Sequence, residues 1–185
     1  MNLETESTGA LMEIKMKCAV LCNGPSRVDF QSREGYNYII GCNIPWFDVD
    51  ATVVLDEAVV ERWGKEPNLI NVPAYFSRKA WAWTDVGHKR DFFRSYLIEV
   101  VDVLPEYDSS GHVAVSCMIK KGFKEIDVWG CDSWFDQTIV SYTHQYFKNL
   151  NPDDSKKHVI GWRNRWKTIM EGYPDVTINF KRINN

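Results

Sequence analysis

Polar side chains follow four apolar segments of this 185-residue chain, at the point where each segment ends. These residues are Asn23, Asn43, Asp56 and Asp132. Because ligands of doubly wound α/β proteins bind outside the carboxyl ends of the strands, the four side chains are candidates for one binding site. An asparagine amide both donates and accepts hydrogen bonds, which suits ribose hydroxyls and pyrimidine edges. The pattern therefore predicts a nucleotide site at one rim of a parallel sheet.

The turn after the first apolar segment has a composition typical of phosphate-binding turns. Gly24 allows a backbone conformation closed to other residues, Pro25 presets φ, and Ser26 is a good helix N-cap. A strand that turns on glycine into a helix directs free backbone N–H groups and the positive end of the helix dipole outward. Asn23, Gly24, Pro25 and Ser26 are therefore predicted to bind the ligand.

A second glycine turn, Ser109-Ser110-Gly111, precedes a predicted buried helix over residues 113–121. Ser110 and Gly111 can offer backbone N–H groups to phosphate oxygens in the same way. The four strand-end residues and this turn make five candidate elements. Any one of them is explained by the need for turn residues at strand ends, since asparagine and aspartate are common in turns. Their occurrence together favours a ligand site.

The composition excludes several classes of protein. A formal net charge of −3 argues against a nucleic-acid surface, which needs a basic face. No apolar stretch reaches the roughly 20 residues that a membrane span requires. Five cysteines, with no CxxC pair and no signal-like apolar N-terminus, indicate reduced thiols in a cytoplasmic protein. We predict neither a metal site nor a cofactor, and expect some of the eight tryptophans to be partly exposed, where an indole can stack on a base or a sugar.

The elements that must position these residues alternate between strands and helices, which indicates an α/β fold. We predict a single Rossmann-like domain over residues 16–185, with a mostly parallel sheet and helices on both faces, after a flexible arm over residues 1–15. Strands are predicted at 18–22, 36–43, 50–55, 69–72, 99–104, 123–130 and 176–180, and helices at 57–63, 113–121 and 161–172. Residues 26–33 are a short helix or loop, 74–97 an irregular insertion, 151–155 a loop, and 133–160 a candidate lid.

Four short segments of the chain come in the same order as in bacterial lipooligosaccharide sialyltransferases. They are Asn23-Gly24-Pro25-Ser26, Gly41-Cys42-Asn43, Ser109-Ser110-Gly111 and the block GFKEIDVWGCD over residues 122–132. The chain also resembles a broader group of Asn-Gly-Pro-Ser proteins that includes 6-hydroxymethylpterin diphosphokinase-like members. The match extends from about Lys17 to Gly161, with a gap over residues 57–107. It implies a Rossmann-like fold and a CMP-linked sialic acid donor, used without a metal.

The resemblance also implies roles for individual residues. Asn23 and the Gly24 turn would hold the donor nucleotide, and Asn43 and Ser110 would contact the donor. Asp56 falls where the family has an asparagine near the ribose or the sugar. Trp134, just after Asp132, would belong to a lid over the donor, where the family places a tyrosine against the phosphate.

The chain departs from the family at the general base. Family members carry a His-Tyr-Ile-Gly-His segment whose last histidine is the proposed base, and here the segment is HVIGW over residues 158–162. An indole cannot accept a proton from an attacking hydroxyl, so Trp162 cannot serve. His158 is then the nearest candidate base, with His112 as a second. Arg163 or Arg165 would neutralise the leaving phosphate.

The resemblance therefore predicts a nucleotide- or nucleotide-sugar-binding, glycosyltransferase-like protein with a CMP-sugar donor. Two alternatives stay open. One is a nucleotide-binding module without catalysis, because the family's base is replaced. The other is a Mg²⁺-dependent pterin or nucleotide diphosphokinase relative, in which Asp56 and Asp132 would hold the ion. The identities of the nucleobase, the sugar and the acceptor are not predicted, and neither is the oligomeric state.

Overall fold

The computed structural model describes residues 16–86, 89–103, 108–136 and 152–182, the backbone alone being described for 152–158. The strands in these ranges are β1 Lys17–Leu21, β2 Tyr38–Cys42, β3 Ala51–Val54, β4 Ala74–Ser77, β5 Leu97–Val101, β6 Glu125–Trp129 and β7 Thr177–Lys181. The α-helices are α1 Glu57–Lys65, α2 Arg78–Val86, α3 Arg90–Arg94, α4 Ser110–Lys120 and α5 Pro152–Gly172. Short 3₁₀ segments cover Pro25–Asp29 and Asp132–Trp134. The predicted arm over 1–15, and residues 137–151 of the candidate lid, lie outside the described residues.

All seven strands join one parallel sheet in the order β5-β4-β3-β2-β1-β6-β7. From β1 the chain adds β2 to β5 on one side, then crosses over to add β6 and β7 on the other. The strand order therefore reverses at β1, and the carboxyl ends of β1 and β6 flank the crevice where such sheets bind ligands. The predicted Rossmann-like architecture is confirmed.

Helices cover both faces of the sheet, because alternate strand residues point in opposite directions. Val20 and Ile40 face one side and are buried with Met118 of α4 and Trp166 of α5. On the other face, Phe76 packs with helices α1 to α3, and Leu21 packs with the loops after β1 and β2. Cys18 and Cys22 share a face, as their spacing predicts, and all five cysteines are buried and free.

The aromatic region 74–97 is regular, and the prediction of an irregular insertion is wrong. It forms β4, α2 and α3. The strand expected at 69–72 is absent: those residues form a loop in which Ile70 is buried, and the strand starts after Pro73 instead. The expected strand at 99–104 is observed slightly earlier, as β5. The hydrophobic periodicity of this region did not predict its helices, because the aromatic side chains of 81–96 pack around buried Trp63 from another helix.

The last helix begins earlier than predicted. Residues 151–155 were expected to form a loop, but α5 starts at Pro152. Proline suits the first turn of a helix because its missing N–H would have no partner there, and acidic residues such as Asp153 and Asp154 favour the positive end of the dipole. Residue 158 therefore lies within a helix and not in a loop. None of the described helices is long and apolar enough to cross a membrane.

Candidate functional site

The turn after β1 is tied to Asp132, which follows β6. The backbone N–H of Ser26 and its hydroxyl both donate to Asp132 Oδ2, at 2.9 and 3.0 Å. The Gly24 N–H donates to Gly130 O at 2.7 Å. Asp132 is only 5% exposed, so its charge lies beneath the turn and is compensated there by two donors. The N–H groups of Gly24 and Ser26 are therefore bonded within the protein, which corrects the expectation that this turn offers free N–H groups. Two predicted ligand segments, distant in sequence, instead form one structure at the switch point of the sheet.

Gly24 is required for space and not for its conformation. Its φ of −74° and ψ of 166° are open to any residue, which corrects the expectation of a special backbone conformation. A Cβ at this position would instead lie 2.3 Å from both Asp132 Oδ2 and Gly130 O. Gly130, with a φ of +68° and the same close approach to Cys22 O, needs glycine on both grounds.

The N-terminus of α4 lies against the end of β1. A Cβ at Gly111 would lie 2.7 Å from Cys22 Sγ, so only glycine permits this contact. Hydrogen bonding within the helix begins with Val113 N–H donating to Ser109 O at 3.2 Å. Helix geometry therefore gives the N–H groups of Ser110 and Gly111 no partner inside α4. The second glycine turn therefore packs against Cys22, just before the first, and the positive end of the α4 dipole is directed at the end of β1.

His112 serves the structure of this helix terminus. It is fully buried, its Nδ1 accepts the Ser109 N–H at 2.8 Å, and its Nε2 donates to Trp162 O at 2.9 Å. Burial lowers the pKa of His112 to about 4, although the hydrogen bond to Trp162 opposes this shift. The imidazole is therefore neutral with both nitrogens engaged, and it is not placed to act as a base. It holds the start of α4 to α5.

Asn43 and Asp56 form a second pair further along the rim. Asn43 has a φ of 57° and donates from Nδ2 to Asp56 Oδ2 at 2.8 Å. Desolvation by neighbouring protein atoms raises the pKa of Asp56, and the hydrogen bond from Asn43 limits the rise. The resemblance assigns the Asn43 amide to the sugar donor. In the structure, part of this amide is used to join the ends of β2 and β3.

The Asn23 side chain connects the strand ends that carry the Ser26–Asp132 and Asn43–Asp56 hydrogen bonds. Its Nδ2 donates to Cys42 O at 3.0 Å, which joins the ends of β1 and β2. Its Oδ1 is buried and has no hydrogen-bond partner within the described part of the chain. Asn23 is thus a predicted ligand residue whose buried amide oxygen has no hydrogen bond among the described residues.

The order of the strands separates Asp56 from Asp132. Asp56 follows β3 and Asp132 follows β6, with β1 and β2 between them. Three strand spacings amount to roughly 14 Å. One Mg²⁺ holds its ligands at about 2.1 Å, so these carboxylates do not form a shared magnesium site. In the described residues, no group of three or more His, Cys, Asp or Glu side chains is arranged to hold a metal ion.

The remaining predicted residues lie on or near α5. The Trp134 ring stacks on Phe180 of β7, with centroids 4.4 Å apart, so one indole face is already covered. Arg165 Nε donates to the buried carboxylate of Asp108 at 2.7 Å, which fastens α5 to the segment before α4. Arg163 is half-buried in the same helix. The backbone of His158 lies in α5, and its side chain is outside the described part.

Sequence reasoning missed one rim residue, Trp46, which the loop after β2 carries. Its Nε1 is buried and has no acceptor among the described residues. The guanidinium of Arg27, from the turn after β1, lies 5.6 Å from the centre of its ring. The signal was present in the sequence, since Trp46 follows Asn43 by three residues and so belongs to the same end of the sheet.

Comparisons of the chain with protein-family models, with curated proteins and with solved structures found no match. The assignment of a function to the rim therefore depends on its geometry and on the segments that it brings together.

Proposed function

We propose that this chain is a nucleotide- or nucleotide-sugar-binding, glycosyltransferase-like protein whose ligand is a CMP-linked sugar or a part of one. The observation that carries the proposal is the hydrogen bonding of Ser26 to Asp132 at the switch point of the sheet. These residues belong to the two segments on which the resemblance to sialyltransferases is most specific. A local turn requirement would explain each segment by itself, but it would not bring them together.

The rim offers distinct groups to the two ends of such a ligand. The N–H groups of Ser110 and Gly111 and the dipole of α4 favour a phosphate at the crevice between β1 and β6. Asp132 accepts two hydrogen bonds from Ser26 and so supports the turn. Asn23 Oδ1, towards β2, accepts a hydrogen bond from a hydroxyl or an amino group.

A nucleotide-binding module without transfer is the second candidate, and three observations favour it. Trp162 occupies the position of the family's base. His112 is neutral, buried and engaged at both nitrogens. Arg165 is paired with Asp108 and is not available for a leaving phosphate. Transfer would then depend on His158 as base and Arg163 as counter-charge.

Thermal-shift and calorimetric titration of the full chain test the proposal. The panel contains CMP, UMP, AMP, GMP, a CMP-sugar, a UDP-sugar and a pterin, each with and without Mg²⁺. A ligand at a hundred times its Kd adds about 2.7 kcal/mol to the free energy of unfolding, so specific binding is readily seen. We expect a cytidine-selective shift that does not depend on Mg²⁺.

Two asparagine variants locate the binding. Asn23→Ala should abolish the shift, and Asn71→Ala, at an exposed asparagine in the loop before β4, should retain it. Release of CMP from the CMP-sugar distinguishes a transferase from a module that only binds. A panel with no shift at all, or one with equal shifts in wild type and Asn23→Ala, overturns the proposal.

A further inference from the structure

Two buried side-chain atoms have no hydrogen-bond partner among the described residues, Asn23 Oδ1 and Trp46 Nε1. Burying a polar atom without a partner costs free energy, so such atoms are rare in folded proteins. Both residues follow neighbouring strands, β1 and β2, at their carboxyl ends. In contrast, buried Thr52, Ser77 and Asp127 in the strands themselves all have partners. The unsatisfied groups therefore lie at the rim where parallel sheets of this kind bind ligands.

Two contacts bring the segments that carry these atoms together. Asn23 Nδ2 donates to Cys42 O, which fixes the orientation of the amide and leaves the oxygen as its unused atom. The guanidinium of Arg27 lies over the Trp46 ring, and the Arg27 N–H donates to Gly24 O at 3.1 Å. The turn after β1 thus contacts both the end of β2 and the loop after it, and Asn23 and Trp46 each belong to one of these segments.

We propose that Asn23 Oδ1 and Trp46 Nε1 form a subsite for a pair of neighbouring sugar hydroxyls, with Trp46 as a specificity residue. The amide oxygen accepts a hydrogen bond and the indole N–H donates one, so the complementary group must do both. A phosphate offers only acceptors here and an ammonium only donors. A vicinal diol offers both on adjacent carbons. A pyrimidine edge does so too, and 2′-deoxy-CMP keeps that edge while it lacks the diol. This inference rests on the proposed function, and it assigns the ribose to the β1–β2 side of the rim.

Replacement of the indole by a phenyl ring tests the subsite, because Trp46→Phe removes the N–H and keeps an aromatic ring. Calorimetry compares CMP with 2′-deoxy-CMP, which lacks one hydroxyl of the diol. For wild type we expect a preference for CMP of about fivefold to tenfold, the effect of one hydrogen bond. Trp46→Phe should lose this preference and bind CMP more weakly by a similar factor. Trp81→Phe, on α2, where the ring packs on Phe76 and Arg90, is the matched control and should keep both values.

The outcomes separate this inference from the proposed function. If wild type binds CMP and 2′-deoxy-CMP equally, or if Trp46→Phe keeps the preference, the subsite is wrong and nucleotide binding stands. If no nucleotide binds, the proposed function fails, and thermal shifts with ribose and 2-deoxyribose test the subsite alone. A ribose-selective shift that Trp46→Phe removes supports it, and equal or absent shifts overturn it.

Discussion

Two regions of this sheet bury polar groups, and they do so in opposite ways. On the face of the sheet opposite α4, Asp127 of β6 is 1% exposed and accepts hydrogen bonds from Tyr36 Oη at 2.8 Å and Asn179 Nδ2 at 2.9 Å. Lys17 Nζ lies 3.1 Å from the same carboxylate and Lys181 Nζ 3.6 Å. We call these five residues the Asp127 network. At the rim, by contrast, Asn23 and Trp46 keep buried atoms that have no partner in the part of the chain the structure describes.

The difference separates a structural polar cluster from a candidate binding site. Lys17 and Lys181 compensate the charge of Asp127, and hydrogen bonds lower the pKa of Asp127 even though burial acts in the other direction. Among the described residues, no buried polar side-chain atom of this cluster lacks a hydrogen bond. The rim is built from close glycine approaches and helix termini, and it leaves donors and acceptors unused. Burial of polar atoms alone would not have distinguished the two regions.

Asp127→Ala tests the network and has the largest expected effect. Removal of the carboxylate leaves Lys17, Lys181 and Tyr36 without their common partner, which should lower the free energy of unfolding by about 4 kcal/mol. Urea denaturation measures this change. Nucleotide binding to the folded fraction should be unchanged, because the network lies apart from the rim. A loss below 1 kcal/mol would show that the network does not hold the fold.

The two regions should also respond to acid in different pH windows. His112, beside the rim, has a folded pKa of about 4 against about 6.5 when unfolded, so the unfolded chain binds the proton first. Its contribution to stability is complete above pH 6.5 and is lost as the pH falls towards 4, by about 3 kcal/mol. Asp127 has a lowered pKa, so its contribution is lost only below about pH 4.

Urea titrations at a series of pH values check these windows. His112→Gln lacks the titrating ring, so the slope of stability against pH between 4 and 6.5 should flatten in that variant. Asp127→Asn should keep this slope and alter only the more acidic part of the profile. An unchanged slope in His112→Gln would contradict the burial of a neutral imidazole.

A matched pair of tryptophans gives the smallest effect and the most direct comparison. Trp129 and Trp46 are both half-buried, but Trp129 Nε1 donates to Tyr36 Oη at 3.2 Å beside the Asp127 network, and Trp46 Nε1 has no partner in the described residues. In the ligand-free protein, Trp129→Phe should therefore cost about 1 kcal/mol more than Trp46→Phe. Thermal and urea unfolding of both variants measure the difference. Equal losses would mean that the Trp46 N–H is bonded after all.

Local sequence determined most of the strands and the chemistry at their ends. Apolar runs bounded by Asn, Asp and Gly located β1, β2, β3 and β6, because turn residues must follow a buried strand. The shared face of Cys18 and Cys22 also follows from spacing alone. These features depend on residues that are neighbours in sequence, so their physical causes are present in any short window of the chain.

Tertiary structure decided which of those polar residues meet. The strand order lies outside any local window, and it sets Asp56 roughly 14 Å from Asp132 while it brings Asn23 beside β2. Packing buried His112 and made it a structural residue, and it packed the aromatic residues of α2 and α3 around Trp63. The reason for Gly24 likewise lies in Asp132, 108 positions further along the chain, whose carboxylate occupies the space that a Cβ would need. Partners so distant in sequence are chosen by how the whole sheet closes, and no local preference encodes that choice.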